Sequence, residues 1–192
     1  GPPIDPRVVD ARKQKVPWRS GSLKLCVATG GLGTNGYEIR QVLTQLLPHL
    51  RREPCPYQIV LYAGTQKDIA KIGYDLAEEN HIPVSDMYRQ QGRFRIAYHP
   101  QILDANELLL RYGFPWADGF ITKPSGDMAY DAVAAGCFLL TLSEWGVWEE
   151  RIREIFEQMG IARRAEPEQL VTQLSLLQQA IRGKSWVEDA MY

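Results

Sequence analysis

The sequence predicts an α/β protein, a Rossmann-like parallel sheet with helices on both faces. Short apolar runs of strand length recur along the chain: LKLCVAT (23–29), YQIVLYAG (57–64), FRIAYH (94–99), DGFIT (118–122) and CFLLTL (137–142). The stretches between them carry apolar residues at helical spacing. Strands alternating with helices pair in parallel through helical crossovers, and the crossovers cover both faces of the sheet.

The elements follow in order. Residues 1–22, GPPIDPRVVDARKQKVPWRSGS, hold four prolines and alternating charges, the composition of a connection more than of a core. We read them as an inter-domain linker. The first strand runs straight into a glycine-rich loop, GGLGTNG, and then into a helix over 37–51, where Ile39, Val42, Leu43, Leu46, Leu47 and Leu50 share one face. GYDLAEEN, ANELLLRYG and VWEERIREIFEQMG read as the next helices. A last helix, PEQLVTQLSLLQQAIRG, opens with Pro167 near its start and stops at Gly183. One globular domain is expected over 23–183, with 184–192 as a C-terminal tail.

Composition narrows the function. Lys and Arg number 22 against 23 Asp and Glu, for a net charge of -1. No global field draws nucleic acid or an anionic membrane to this chain. Cys26, Cys55 and Cys137 are odd in number and widely spaced, which suits reduced thiols in a cytoplasmic setting. No run approaches the roughly 18 apolar residues of a membrane span. The first residues show neither a signal-peptide core nor a transit-peptide pattern. A cytoplasmic protein is expected, with any membrane contact peripheral.

The glycine loop of residues 30–36 is built for close approach. A glycine lacks the Cβ that would keep a ligand away from the backbone, and the helix start behind it offers free N–H groups to an anion. Gly31, Gly33 and Gly36 fit GxGxxG after a strand and before a helix, the setting of a dinucleotide fingerprint. A nicotinamide site also calls for an acid at the end of the second strand, roughly 20 residues on. That strand ends in LYAGTQ, with no acid before Asp68. A second loop of the same kind, KPSG (123–126), follows the fourth strand. Two such loops can hold a diphosphate between them, through Gly31, Gly33, Thr34 and Gly36 on one side and Ser125 and Gly126 on the other. Asp131, one turn into the following helix, can accept hydrogen bonds from the vicinal hydroxyls of a ribose. Its alternative role is to complement the helix dipole.

These residues resemble a known signature. KPSGDMAYDAVAAG is similar to the donor site of inverting, two-domain GT-B glycosyltransferases. That group includes the lipid II-forming N-acetylglucosaminyltransferase of peptidoglycan synthesis and the diacylglycerol glycosyltransferases. Its pattern is K/R-x-G-G/A-x-T-x-x-E-A with a later glycine, and Lys123, Gly126, Asp131, Ala132 and Gly136 stand in matching places. GGLGTNG resembles the family's first glycine loop, ANELLLRYGFPWAD its acidic-Leu-Leu helix, WEERIREIFEQMGIA its segment after the fifth strand, and GPPIDPR its inter-domain linker. Met128 replaces the usual Thr and Asp131 the usual Glu, while Trp148 and Ile152 stand where the family reads its sugar with Gln and Asn.

The resemblance implies a GT-B C-terminal half that binds a UDP-sugar donor and needs no cofactor or metal. Ribose would fall to Asp131, the base to Tyr98 and His99, and the sugar to Trp148, Glu149 and Glu150. Trp145 and Trp148 can stack on a sugar or simply pack. The acceptor and the catalytic base would come from an N-terminal half or a partner subunit, through which any membrane contact would run. Among the histidines, His49 and His81 read as surface residues and His99 as the one near the base pocket. Two other readings stay open: a non-catalytic nucleotide-binding or scaffold domain of the same fold, and an NAD-dependent oxidoreductase domain. If the first loop cradles phosphate, Gly33→Val abolishes nucleotide binding in calorimetric titration, because a β-branched side chain fills the phosphate space and resists positive φ.

Overall fold

The computed structural model describes residues 4–30, 35–89, 92–124, 126–142 and 147–191. Six parallel strands form its sheet: β1 (Leu23–Ala28), β2 (Tyr57–Gly64), β3 (Phe94–Tyr98), β4 (Gly119–Thr122), β5 (Phe138–Thr141) and β6 (Ala162–Arg164). They lie in the order β3-β2-β1-β4-β5-β6. β1 pairs with β2 along its whole length and with β4 on its other side, Leu25 opposite Gly119 and Val27 opposite Ile121. The Rossmann-like expectation holds.

Alternation within β1 sets the two layers. Leu23, Leu25 and Val27 face one cluster with Ile59, Leu61, Ile121, Phe138 and Leu140, whereas Cys26 and Ala28 face the other with Val60, Phe120 and Leu139. The first cluster is covered by α2 (Gly36–Leu46), α3 (Lys67–Glu79), α7 (Leu170–Gln178) and α8 (Trp186–Met191). The second lies under α1 (Pro6–Gln14), α4 (Ile102–Leu108), α5 (Gly126–Ala134) and α6 (Val147–Gln158). In α2 the buried stripe is Ile39, Val42, Leu43 and Leu46. The helix then tightens into a 3-10 turn over Leu47–Arg51, because Pro48 has no N–H to continue the α-helical ladder.

Sequence reasoning passed over β6. It is an edge strand of three residues, and only Ala162 is buried while Arg163 and Arg164 are exposed. A short charged edge resists pairing with other chains, but it leaves no apolar run to detect.

The segment read as a linker contains α1, which is docked on the domain. Asp5 caps it by accepting the Arg7 N–H at 2.9 Å, Pro6 opens it, and Val8 and Ala11 are buried. Beyond the helix, Lys15 Nζ donates to Phe114 O at 2.6 Å and Ala117 O at 2.8 Å, and lies 3.1 Å from Cys137 Sγ. Arg19 pairs with Glu188 at 2.9 Å. The segment read as a tail contains α8, whose Val187, Ala190 and Met191 join the core.

Gly136 has φ +82°. Cys137 N–H donates to Ala132 O and Gly136 N–H to Val133 O, so this glycine ends α5 with the left-handed turn that closes helices. The glycine of the signature thus has a structural task here.

Gly119 sits opposite the Phe138 ring. A Cβ at Gly119 would stand 2.2 Å from Phe138 Cζ, and that fully buried ring is held edge-on by Trp186 at 5.8 Å. Gly119→Ala is expected to lower unfolding free energy by about 1–3 kcal/mol, the cost of overpacking, with an unchanged urea m-value.

Candidate functional site

The chain reverses direction across the sheet between β1 and β4, and in open α/β sheets ligands gather outside the strand ends at such a point. α2 leaves β1 for one face and α5 leaves β4 for the other. A crevice lies at this edge, lined by Thr29 and Gly30 after β1, Tyr62 to Gln66 at the end of β2, Ile102, Ala105 and Asn106 on α4, and Met128 on α5. Gly64, at φ +59°, turns the chain at the end of β2. Tyr62 Oη donates to Asn106 Oδ1 at 3.4 Å, which ties the end of β2 to α4.

The crevice wall is mixed. Thr29, Thr65, Gln66 and Asn106 supply hydroxyl and amide groups among the apolar side chains of Ile102, Ala105 and Met128, and no carboxylate is among the described lining residues. On the β4 side, Lys123 is buried with its stem across the first loop, since a Cβ on Gly30 would meet Lys123 Cδ at 3.8 Å. Among the described residues, Lys123 and Gly36 do not line the crevice, and α5 reaches it through Met128. Thr122 Oγ1 donates to Ala28 O at 2.9 Å, and Met128 Sδ lies 3.7 Å from the same hydroxyl. A thioether stands where the resembling signature has Thr, so this position offers no hydroxyl.

The expected site residues fall in several places. Gly31, Gly33, Thr34 and Ser125 lie outside the described residues, as do Trp145 and the side chains of Trp148 and Glu149. Gly36 begins α2 close to α3, where a Cβ would meet Ile69 Cδ1 at 3.4 Å. Gly126 begins α5. Asp131 is half-buried on α5 but does not line the crevice pocket. Burial first, then the carboxylates of Asp127 and of Asp5 at the start of α1, push its carboxyl above the usual aspartate range. Glu150 is exposed, with Arg153 Nη2 at 4.0 Å.

Tyr98 and His99 diverge, as successive strand residues do. Tyr98 packs against the cluster under α2 and α3. His99 anchors the end of β3 by donating its N–H to Gly64 O at 3.0 Å. Its side chain enters a second, outer cleft with Tyr88, Asp104, Glu107, Arg111 and Tyr112. There Nδ1 accepts the Gln101 N–H at 3.0 Å, leaving Nε2 as the ring's proton donor. His49 and His81 lie in segments that precede β2 and β3, at the opposite edge of the sheet from the crevice.

Thr29, Tyr62, Thr65, Gln66 and Asn106 were missed as crevice residues. They come from distant segments, and only the position of a strand end, the last residue before a predicted turn, signals them.

No family model matches the chain, and no curated protein matches it. Among solved structures it is similar to S. aureus MnaA in complex with UDP, with a TM-score of 0.55 and 13% identity. The similarity covers 95% of this chain and 46% of that one. This chain therefore spans less than half the length of the structure it matches. At that identity the likeness is one of fold, the α/β sheet with helices on both faces.

The raised Asp131 carboxyl makes a pH test. A carboxyl harder to ionise in the folded than in the unfolded state makes folding bind protons, so its contribution to stability declines as pH rises from the ordinary aspartate value through the raised one. Asp131→Asn is expected to raise the thermal midpoint at neutral pH. The gain should vanish below about pH 3, where both states of the parent are protonated.

Proposed function

We propose that this chain is the UDP-sugar-binding half of an inverting glycosyltransferase of the GT-B type. The observation that carries the reading is the crevice at the strand ends beside the β1–β4 reversal, where Thr29, Thr65, Gln66 and Asn106 supply hydroxyl and amide groups and buried Lys123 lies alongside Gly30. Free amides and a cation at such a place favour a diphosphate. Similarity in fold to a UDP-bound protein supports the same reading.

In this reading the chain's own task is to hold the donor and to stabilise the departing nucleoside diphosphate. Negative charge gathers on that group as the glycosidic bond breaks, and preorganised donors lower the barrier most when they meet the charge of the transition state. An acceptor hydroxyl attacks the anomeric carbon from the opposite face and gives its proton to a base within about 3 Å. We assign that base and the acceptor site to another half or subunit, because among the described residues that line the crevice none carries a carboxylate or an imidazole. The same absence of an acid after β2 counts against a nicotinamide cofactor, whose ribose is ordinarily held there.

Calorimetric titration with UDP, UDP-glucose, UDP-galactose, UDP-N-acetylglucosamine and NAD tests the assignment. The chain should bind UDP and at least one UDP-sugar, ignore NAD, and release no transferred radiolabelled sugar to an acceptor panel. Robust transfer by the chain alone would place a base here, with His99 the first residue to mutate. Failure to bind any uridine nucleotide would leave a scaffold of the same fold.

A further inference from the structure

The outer cleft that receives His99 is a second concave site, on the other side of α4 from the crevice. Ile102, Ala105 and Asn106 of that helix line the crevice, whereas Asp104, Glu107 and Leu108 line the cleft. Its volume is near 270 Å³, just under the roughly 300–1,000 Å³ of small-molecule pockets, which leaves room for one small ring. α4 then widens into a π turn over Leu109–Gly113, closed by Phe114 N–H donating to Leu109 O at 3.0 Å. This turn supplies Arg111 and Tyr112 to the cleft wall. Single π turns within helices are uncommon and gather at functional sites.

Hydrogen-bonding groups of both kinds stand idle around this space. Asp104 Oδ2 lies 3.7 Å from His99 Nδ1, but that nitrogen already accepts the Gln101 N–H, so the carboxylate receives no hydrogen bond from a described residue. His99 Nε2–H is a donor with no partner among the described residues. Glu107 is taken up by Arg7 at 3.0 Å and by Arg111 Nε at 3.3 Å, which leaves the two Arg111 Nη groups as donors. The hydroxyls of Tyr88 and Tyr112 have no partner among the described residues either. An anion here would meet Asp104, and a cation would meet Arg111. A neutral ligand whose groups both donate and accept suits all of them, and the hydroxyl is such a group.

The rings narrow the ligand further. Tyr88 and Tyr112 lie edge-to-face, with centroids 5.8 Å apart and planes at 88°. Tyr112 packs onto the cluster beneath α4, while Tyr88 is 64% exposed. Crossed rings cannot sandwich a planar nucleobase, which stacks best between parallel faces. One open ring face instead packs by dispersion against the C–H face of a sugar ring, whose hydroxyls then point outward to the polar wall.

We infer that the outer cleft is a saccharide-binding site: one sugar ring lies on Tyr88, with its hydroxyls donating to Asp104 and accepting from His99 Nε2–H and the Arg111 guanidinium. The site needs no nucleotide in the crevice, so the inference stands apart from the donor reading.

NMR titration of the full chain with the methyl glycosides of glucose, galactose and N-acetylglucosamine tests it, with inorganic phosphate, tetramethylammonium and uridine as probes of the competing chemistries. At millimolar concentration at least one glycoside should shift the signals of His99, Asp104, Arg111 and Tyr112, and none of the other three probes should. Tyr88→Ala and Asp104→Asn alter exposed side chains. Each should weaken that glycoside roughly tenfold, whereas Tyr88→Phe, which keeps the ring, should stay within about threefold. No shift with any glycoside overturns the inference, as does tighter binding of phosphate, tetramethylammonium or uridine in this cleft. Unchanged glycoside affinity in Tyr88→Ala or in Asp104→Asn overturns it too. Glycoside binding by a chain that binds no UDP would sink the nucleotide reading and leave this one standing.

Discussion

The structure depends on β1 being buried on both faces and paired on both edges. β2 and β3 extend the sheet to one side of it, and the chain must then return across the sheet to lay β4 against its other edge. Right-handed crossovers send the helix after β1 and the helix after β4 to opposite faces. Their starts separate to either side of the seam between them. The crevice is therefore a consequence of strand order. What fills it chemically follows from the residues at the strand ends: Gly30, with no Cβ, and Lys123, whose stem passes over it.

The strands were legible because a parallel sheet covered on both faces needs continuous apolar runs, and β1 to β5 have them. β6 has one inward residue, Ala162, and two arginines, so the same physics leaves nothing to see. The first segment contained a helix signal that its prolines obscured. Asp5 before Pro6 is an N-cap followed by a first-turn proline, and Val8 and Ala11 lie three apart. Proline content gives 1–22 the composition of a connection, whereas the position of Pro6 is that of a helix start.

Legibility of the site was uneven for a related reason. Glycine loops announce themselves in a short window, whereas Thr29, Gln66 and Asn106 are far apart in sequence and meet only through the β1–β2 pairing and the seat of α4. Periodicity did not separate Tyr98 from His99. Strand alternation does, sending one to the layer under α3 and the other to the outer cleft.

Charge around the crevice is sorted by position. The starts of α2 and α5 and the buried Lys123 lie on the side of the strand ends, while Asp5, Asp127 and Asp131 gather where α1 meets α5. That acidic side is held in place by α1, which Arg7 joins to Glu107 of α4 at 3.0 Å while Lys15 secures the residues that follow it to the loop before β4. A carboxylate there is costly to ionise because it is half-buried and, after that, because two others face it, and a hydroxyl-bearing ligand that donates to Asp131 would offset part of that cost. In the reading proposed here, the docked first helix would contribute to donor binding by fixing the acidic side.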